Sequence, residues 1–177
     1  LGNGVYEIDG IERMRQRPIQ DLLDGLKQLG ADVVSKFNNG CPPVLIRGVG
    51  LQGGSAVVNG DLSSQYFSAL LMTAPYAKND VFIEVKGNLV SKRYVDMTIA
   101  LMRQFGVDVK NNEYKTFFVK SGQRYKAKHY EVEGDASAAS YFFAAAAITG
   151  GKVRVMGIGS DSLQGDIHFV DVLKSMG

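Results

Sequence analysis

The chain has 177 residues, enough for one well-packed domain or two small lobes. Apolar residues make up 45% and charged residues 21%, as in ordinary globular proteins, and a net charge of +2 is too small to imply nucleic-acid binding through bulk electrostatics. The lone cysteine, Cys41, excludes an internal disulfide framework and fits a reducing, cytoplasmic compartment.

Taken in chain order, "LGNGVYEIDG" reads as a loop running into a strand rather than a secretory signal. The basic loop "RMRQRP" follows, with Pro18 expected at the first position of the helix "IQDLLDGLKQLG". Strand patterns "ADVV" and "PVLIRG" come next, then "GVGLQGG" (48–54), which reads as a hairpin connection into the strand "SAVVNG". The helix "SSQYFSALLM", the strand "VFIEVKG", the loop "NLVSKRY" and the helix "VDMTIALMRQFG" lead to a strand after Gly106 and another at "TFFVKSG". "SGQRYKAK" (121–128) reads as a second hairpin connection, into the strand "HYEVEG". The chain then predicts a helix over "GDASAASYFFAAAAIT", a strand at "KVRVMGIG", the loop "SDSLQGD" and a last helix at "IHFVDVLKSMG". Its longest apolar run, "YFFAAAAI" (141–148), is far short of the about 20 residues needed to cross a bilayer and is expected to be a buried helix. Met72, Met97 and Met102 fall on apolar helix faces and are expected in the core. Both ends read as cut from something longer.

The pattern repeats. "LKQLGADVV", "LMRQFGVDVK" and "VLKSMG" each end an amphipathic helix on a glycine suited to the C' position, at Gly30, Gly106 and Gly177. The second and third copies also match further upstream, at "NGDLSSQYFSALLM" and "EGDASAASYFFAAAAI", whereas the first survives only as its second half. The period is longer than that of solenoid repeats and marks a supersecondary unit of alternating helices and strands, hence an α/β fold with helices packed on sheets.

Polar residues collect ahead of the helices, where unpaired N–H groups and the helix dipole favour anions. Ser and Asp there are also the usual N-caps, and capping alone accounts for many of them. Three segments carry more than a cap requires. "RMRQRP" places Arg13, Arg15 and Arg17 close together where cations oppose the dipole, which points to a bound anion or to a solvated basic loop. "SSQ" (Ser63, Ser64, Gln65) needs only one cap, and "SKRY" (Ser91 to Tyr94) adds two cations and a phenol. The third copy has Ala139 in place of Gln65, so the second copy is the one shaped to hold a ligand. Hydroxyls, guanidinium groups and an aromatic around one cleft suit a phosphorylated sugar-like acid.

Other motifs carry no chemistry. Gly48, Gly50 and Gly53 match G-x-G-x-x-G, but a strand pattern follows in place of the required helix. His129 and His168 lack neighbours at ligand spacing, so no metal is expected, and Cys41 precedes "PP" with no partner base.

The motifs "RMRQRPI", "SSQYFSALLM", "LVSKRYVDMT", "FGVDV", "VEGDASAASYF" and "SLQGD" closely resemble the EPSP synthase family (3-phosphoshikimate 1-carboxyvinyltransferases) of the bacterial type, in order through essentially the whole chain. The resemblance implies an enolpyruvyl transferase fold of repeated βαβαββ units in two inside-out α/β barrel lobes, incomplete here. Residues 1–133 would be the later part of one lobe, and 134–177 the first part of a repeat of the second. It implies transfer of the enolpyruvyl group of phosphoenolpyruvate to the 5-hydroxyl of shikimate 3-phosphate, without cofactor or metal, by a cytoplasmic monomer that binds neither membrane nor nucleic acid. Ser63, Ser64 and Gln65 would bind shikimate 3-phosphate, with Gln65 also reaching phosphoenolpyruvate. Ser91 would contact the shikimate phosphate, Tyr94 would lie beside the ring, and Arg17 would pair with phosphoenolpyruvate. The proton-transfer residues would lie outside this chain, in the remainder of the enzyme. Arg93 departs from the family's usual Pro, Gln16 from Glu, Gln20 from Gly and Ala138 from Ser. Two alternatives stand beside this: a non-catalytic fragment that binds only ligand or a complementary fragment, and UDP-N-acetylglucosamine enolpyruvyl transferase. The latter typically has a loop cysteine and lacks the Ser-Ser-Gln element.

Overall fold

Two repeats of one strand order build the first part of the molecule. A computed structural model describes residues 1–177, which divide into a first unit, Leu1–Lys126, and a second, Ala127–Gly177. The first unit opens with β1 (Asn3–Ile8), α1 (Gln20–Gln28), β2 (Asp32–Ser35) and β3 (Val44–Val49), whose strands form an antiparallel sheet in the order β1-β3-β2. Next come β4 (Gly54–Asn59), α2 (Ser64–Thr73), β5 (Val81–Lys86), α3 (Lys92–Gln104), β6 (Lys110–Asn112) and β7 (Thr116–Val119). Their sheet has the order β4-β5-β7-β6, with β4 and β5 parallel and the other pairs antiparallel. Residues 54–119 are thus one complete βαβαββ unit. Its last four elements repeat the first four of the chain, since β5-β7-β6 has the order and sense of β1-β3-β2.

The repeated helix ends share one cap. Gly30 and Gly106 both take φ of 86°, open to glycine at little cost. The amide of the following residue then reaches five positions back, from Ala31 to Leu26 and from Val107 to Met102. α1 buries Leu23 against Val33 and Val44, while α2 and α3 bury Phe67, Leu70, Leu71, Val95, Ile99 and Met102 against Val81, Ile83, Phe117 and Val119. Gly25 lets α1 sit close to this larger core, because a Cβ there would lie 3.2 Å from both Val58 and Leu70.

Several local expectations fail, each for a non-local reason. "GVGLQGG" is not a hairpin: β3 and β4 belong to different sheets, and β4 pairs only with parallel β5. The stretch crosses over under main-chain bonds from Gln52 and Gly53 to the Leu29 carbonyl. "HYEVEG" is not a strand, so "SGQRYKAK" is not a hairpin either. β7 is already flanked by β5 and β6, which leaves it no edge to pair. "KVRVMGIG" forms no strand; its Gly157 carbonyl accepts a single main-chain bond, from Gly134 N–H at 2.8 Å. The strand after Gly106 starts only at Lys110: the Gln123 side chain takes both main-chain groups of Asp108, at 2.8 and 3.1 Å. α1 starts at Gln20 with Ile19 as its cap residue, so Pro18 precedes the helix instead of opening it.

The second unit holds α4 (Ala136–Thr149), a 3-10 turn (Gly165–His168) and α5 (Phe169–Ser175). α4 buries only Ala136 and Ala139, while Tyr141, Phe142 and Ile148 are 78%, 61% and 85% exposed. The expected burial of residues 141–148 is not met, because this unit has no sheet to cover the helix. Met102 is buried as expected, but Met97 is half-buried and Met72, in the last turn of α2, is exposed. No helix is long and apolar enough to cross a membrane.

Candidate substrate site at the carboxyl end of the β4–β5 pair

Parallel pairing puts the carboxyl ends of β4 and β5 at one edge of the sheet, and α2 and α3 both start there. Such an edge is the usual ligand position of α/β sheets with parallel strands. Main-chain bonds stitch the two entry loops together: Gly60 N–H to Lys86 O at 2.8 Å, and Val90 N–H to Gly60 O at 3.0 Å. The Asp61 carboxylate accepts from Asn88 N–H at 2.9 Å. Gly60 permits this approach, since a Cβ would lie 2.7 Å from Val85 Cγ1 and 3.0 Å from the Asn88 carbonyl.

Ser63 is the N-cap of α2 and its Oγ accepts from Gln65 N–H at 3.2 Å. The cap thus uses one of the two serines, as expected. Ser64 is buried at the first helical position, and Gln65 is exposed. Ser91 precedes α3 in the left-handed region (φ 52°, ψ 44°) and makes no side-chain cap. A serine held there, at the mouth of a helix, is the kind of outlier that accompanies functional sites. Tyr94, one turn on, is 53% exposed. The helices are joined near these residues by hydroxyls: Thr98 Oγ1 donates to Tyr94 O at 2.8 Å, so Ser68 Oγ donates to Thr98 at 2.8 Å.

The arginine segment separates by role. Asp9 accepts from Arg15 Nε at 2.9 Å and from its Nη2, and also from Gly10 N–H at 2.8 Å. Arg13 Nη1 donates to Gln16 Oε1 at 3.4 Å. Arg17 is extended (φ −92°, ψ 119°), the conformation imposed on a residue before proline, and is exposed. The next carbonyl, of Pro18, accepts from Tyr66 Oη on α2 at 2.8 Å. So the Arg17–Pro18 segment is tied to the first turn of α2, whereas Arg15, expected to share an anion with Arg17, is committed to Asp9. Arg17, Ser63, Ser64, Gln65, Ser91 and Tyr94 therefore lie on three segments joined to one another.

The ion pair makes a pH prediction. The Arg15 hydrogen bond, helped by the Gly10 amide, holds the Asp9 carboxyl below the usual carboxylate range. A depressed folded-state value means that its contribution is fully present above the unfolded-state value and is lost as pH falls through the folded one. By NMR, the Asp9 carboxyl should titrate at lower pH in the unaltered chain than in Arg15→Ala; equal midpoints would contradict the clamp.

The third copy resolves its polar residues differently. Asp135 caps α4 through Ser137 N–H and Ala138 N–H at 2.8 and 3.2 Å, and Ser137 Oγ donates to Asp166. The Gln164 amide accepts from Ala136 N–H at 2.8 Å and donates to Gly134 O. These groups satisfy one another. Around α2, by contrast, the exposed Arg17, Gln65 and Tyr94 face solvent. Tyr66 and Asp61 escaped the sequence reading: the phenol lay inside an apolar run, and Asp61 matches a residue that merely caps in the other copy.

Hydroxyls, an amide, a phenol and a guanidinium at two helix starts can hold a hydroxylated anion and favour negative charge developing on it. The family model for EPSP synthase (3-phosphoshikimate 1-carboxyvinyltransferase) matches residues 1–177. The 3-phosphoshikimate 1-carboxyvinyltransferases of Shewanella pealeana and Shewanella piezotolerans are 56% and 57% identical to the chain over 178 residues. Both alignments cover 100% of this chain and 42% of the relative, so the chain spans about two-fifths of their length. An EPSP synthase structure from Acinetobacter baumannii superposes with a TM-score of 0.74 at 22% identity, over 99% of this chain and 38% of that one, which shows a shared fold. The chain belongs to the EPSP synthase family.

Proposed function

We propose that this chain supplies part of the substrate site for transfer of the enolpyruvyl group of phosphoenolpyruvate to the 5-hydroxyl of shikimate 3-phosphate. The observation that carries this is the junction of the α2 start, the α3 start and the Arg17 segment through Asp61, Gly60 and Tyr66. Ser63, Ser64 and Gln65 hold shikimate 3-phosphate, Ser91 binds its phosphate, Tyr94 lies beside its ring and Arg17 pairs with phosphoenolpyruvate. Both substrates are anions, which helix starts and a guanidinium suit. Addition of the 5-hydroxyl oxygen to C2 of phosphoenolpyruvate, with a proton added at C3, gives a tetrahedral intermediate; loss of phosphate from C2 and of a proton from C3 then restores the C=C bond as the product's enol ether. The groups that move protons come from the remainder of the enzyme, beyond residues 1–177. Residues 1–133 belong to one lobe and 134–177 begin the other, in a cytoplasmic monomer.

Calorimetric titration of the 177-residue chain with shikimate 3-phosphate is expected to show weak binding that Ser64→Ala removes, with no phosphate released when phosphoenolpyruvate is added. Binding unchanged by Ser64→Ala would refute the site. Phosphate release by the chain alone would refute the assignment of proton transfer to groups outside it.

A further inference from the structure

Residues 17 and 18 run between two anchors. Upstream, the Asp9–Arg15 pair closes the loop, and downstream Ile19 N–H donates to Gly40 O at 2.8 Å. Between these anchors, the Tyr66 hydroxyl holds the Pro18 carbonyl at 2.8 Å. The Pro18 ring fixes its own φ and biases Arg17 toward extended backbone, so a held Pro18 carbonyl fixes the direction in which Arg17 leaves the chain. Tyr66 is itself rigidly placed, because the next residue, Phe67, and then Leu70 and Leu71 are fully buried. It is also adjacent to Gln65 and within one helical turn of Ser63 and Ser64. Burial raises the phenol above its usual range, Asp21 adds to this and Arg17 opposes it, so the hydroxyl keeps its proton through neutral pH and Arg17 is near enough to act on it.

We propose that Tyr66 is a positioning residue, whose hydroxyl tethers the Arg17–Pro18 segment to α2 and so sets the placement of the Arg17 guanidinium beside Ser63, Ser64 and Gln65. Its consequence for ligand binding rests on the role given to Arg17 above. Tyr66→Phe deletes the oxygen and keeps the ring, so the fold is retained.

The test uses the 177-residue chain. In Tyr66→Phe, the ¹⁵N relaxation of the Arg17 amide and Nε should report increased mobility, while the unfolding midpoint and the amide shifts of α3 stay in place. Titrated with phosphoenolpyruvate and followed at Arg17 Nε, the variant should bind about 3- to 10-fold more weakly, the effect of one hydrogen bond. In an Arg17→Ala background, followed at Gln65, Tyr66→Phe should add no further loss. Unchanged Arg17 relaxation overturns the tether, and so does an equal loss of affinity in both backgrounds. Increased mobility together with full affinity in Arg17→Ala leaves the tether in place and overturns the ligand role of Arg17.

Discussion

Arg17→Ala should raise the KM for phosphoenolpyruvate by about 30- to 700-fold, the equivalent of roughly 2–4 kcal/mol for a charge-assisted, bidentate contact. The host for this measurement is a chimera in which residues 1–177 replace the matching stretch of the Shewanella pealeana relative. The KM for shikimate 3-phosphate should change little, because its proposed contacts come from the α2 and α3 starts. Arg17 is exposed and its loop is closed by Asp9 and Arg15, so the substitution should leave stability within about 0.5 kcal/mol. Arg17→Lys should recover only part of the loss, since an ammonium offers no planar fork to a carboxylate or phosphate. Arg13→Ala should be close to unaltered, as Arg13 bonds only Gln16 in its own turn. A large effect at Arg13 and none at Arg17 would reverse the assignment.

Phe67→Ala is expected to cost about 3–5 kcal/mol of stability. Phe67 is fully buried where α2 meets the sheet, its ring centroid 6.0 Å from that of Phe117 at a tilt of 55°. Truncation removes the transfer energy of the ring and leaves a cavity whose walls are themselves locked by Leu70, Ile83 and Phe117. Because domains are stable by only about 5–15 kcal/mol, a loss of this size consumes about a fifth or more of the total. The urea midpoint read from amide signals of β5 and α2 should fall sharply. Phe142→Ala makes the contrast: that ring is 61% exposed on α4, and its loss should change stability by no more than about 0.5 kcal/mol. Equal costs at the two positions would contradict the core described for the first unit.

What was legible in the sequence was what local chemistry decides. Gly30 and Gly106 mark helix ends because only glycine takes that backbone angle cheaply, and Ser63 caps because its hydroxyl reaches a neighbouring amide. The repeat read from "LKQLG" and "LMRQFG" became an identical strand order in the two sheets. Strand patterns misled wherever pairing decides: "HYEVEG" and "KVRVMG" have strand-type side chains but join neither sheet. Apolar content likewise predicted burial for α4, although burial depends on what lies opposite.

In the site, residue types pointed to an anion, but their division of labour did not show. That Arg15 binds Asp9 while the Arg17–Pro18 segment is tied to α2 follows from the ion pair at Asp9 and the Tyr66–Pro18 bond, which spans 48 positions. The left-handed Ser91 was equally hidden, since nothing in "NLVSKRY" requires that backbone angle.

The most direct measurement is phosphate release by the chimera, supplied with phosphoenolpyruvate and shikimate 3-phosphate. If residues 1–177 furnish a working part of the substrate site, the chimera turns over at a rate comparable to the Shewanella pealeana parent, and Arg17→Ala or Ser64→Ala suppresses it. A chimera that folds with the parent's stability yet releases no phosphate would contradict the account and leave this chain a non-catalytic member of its family.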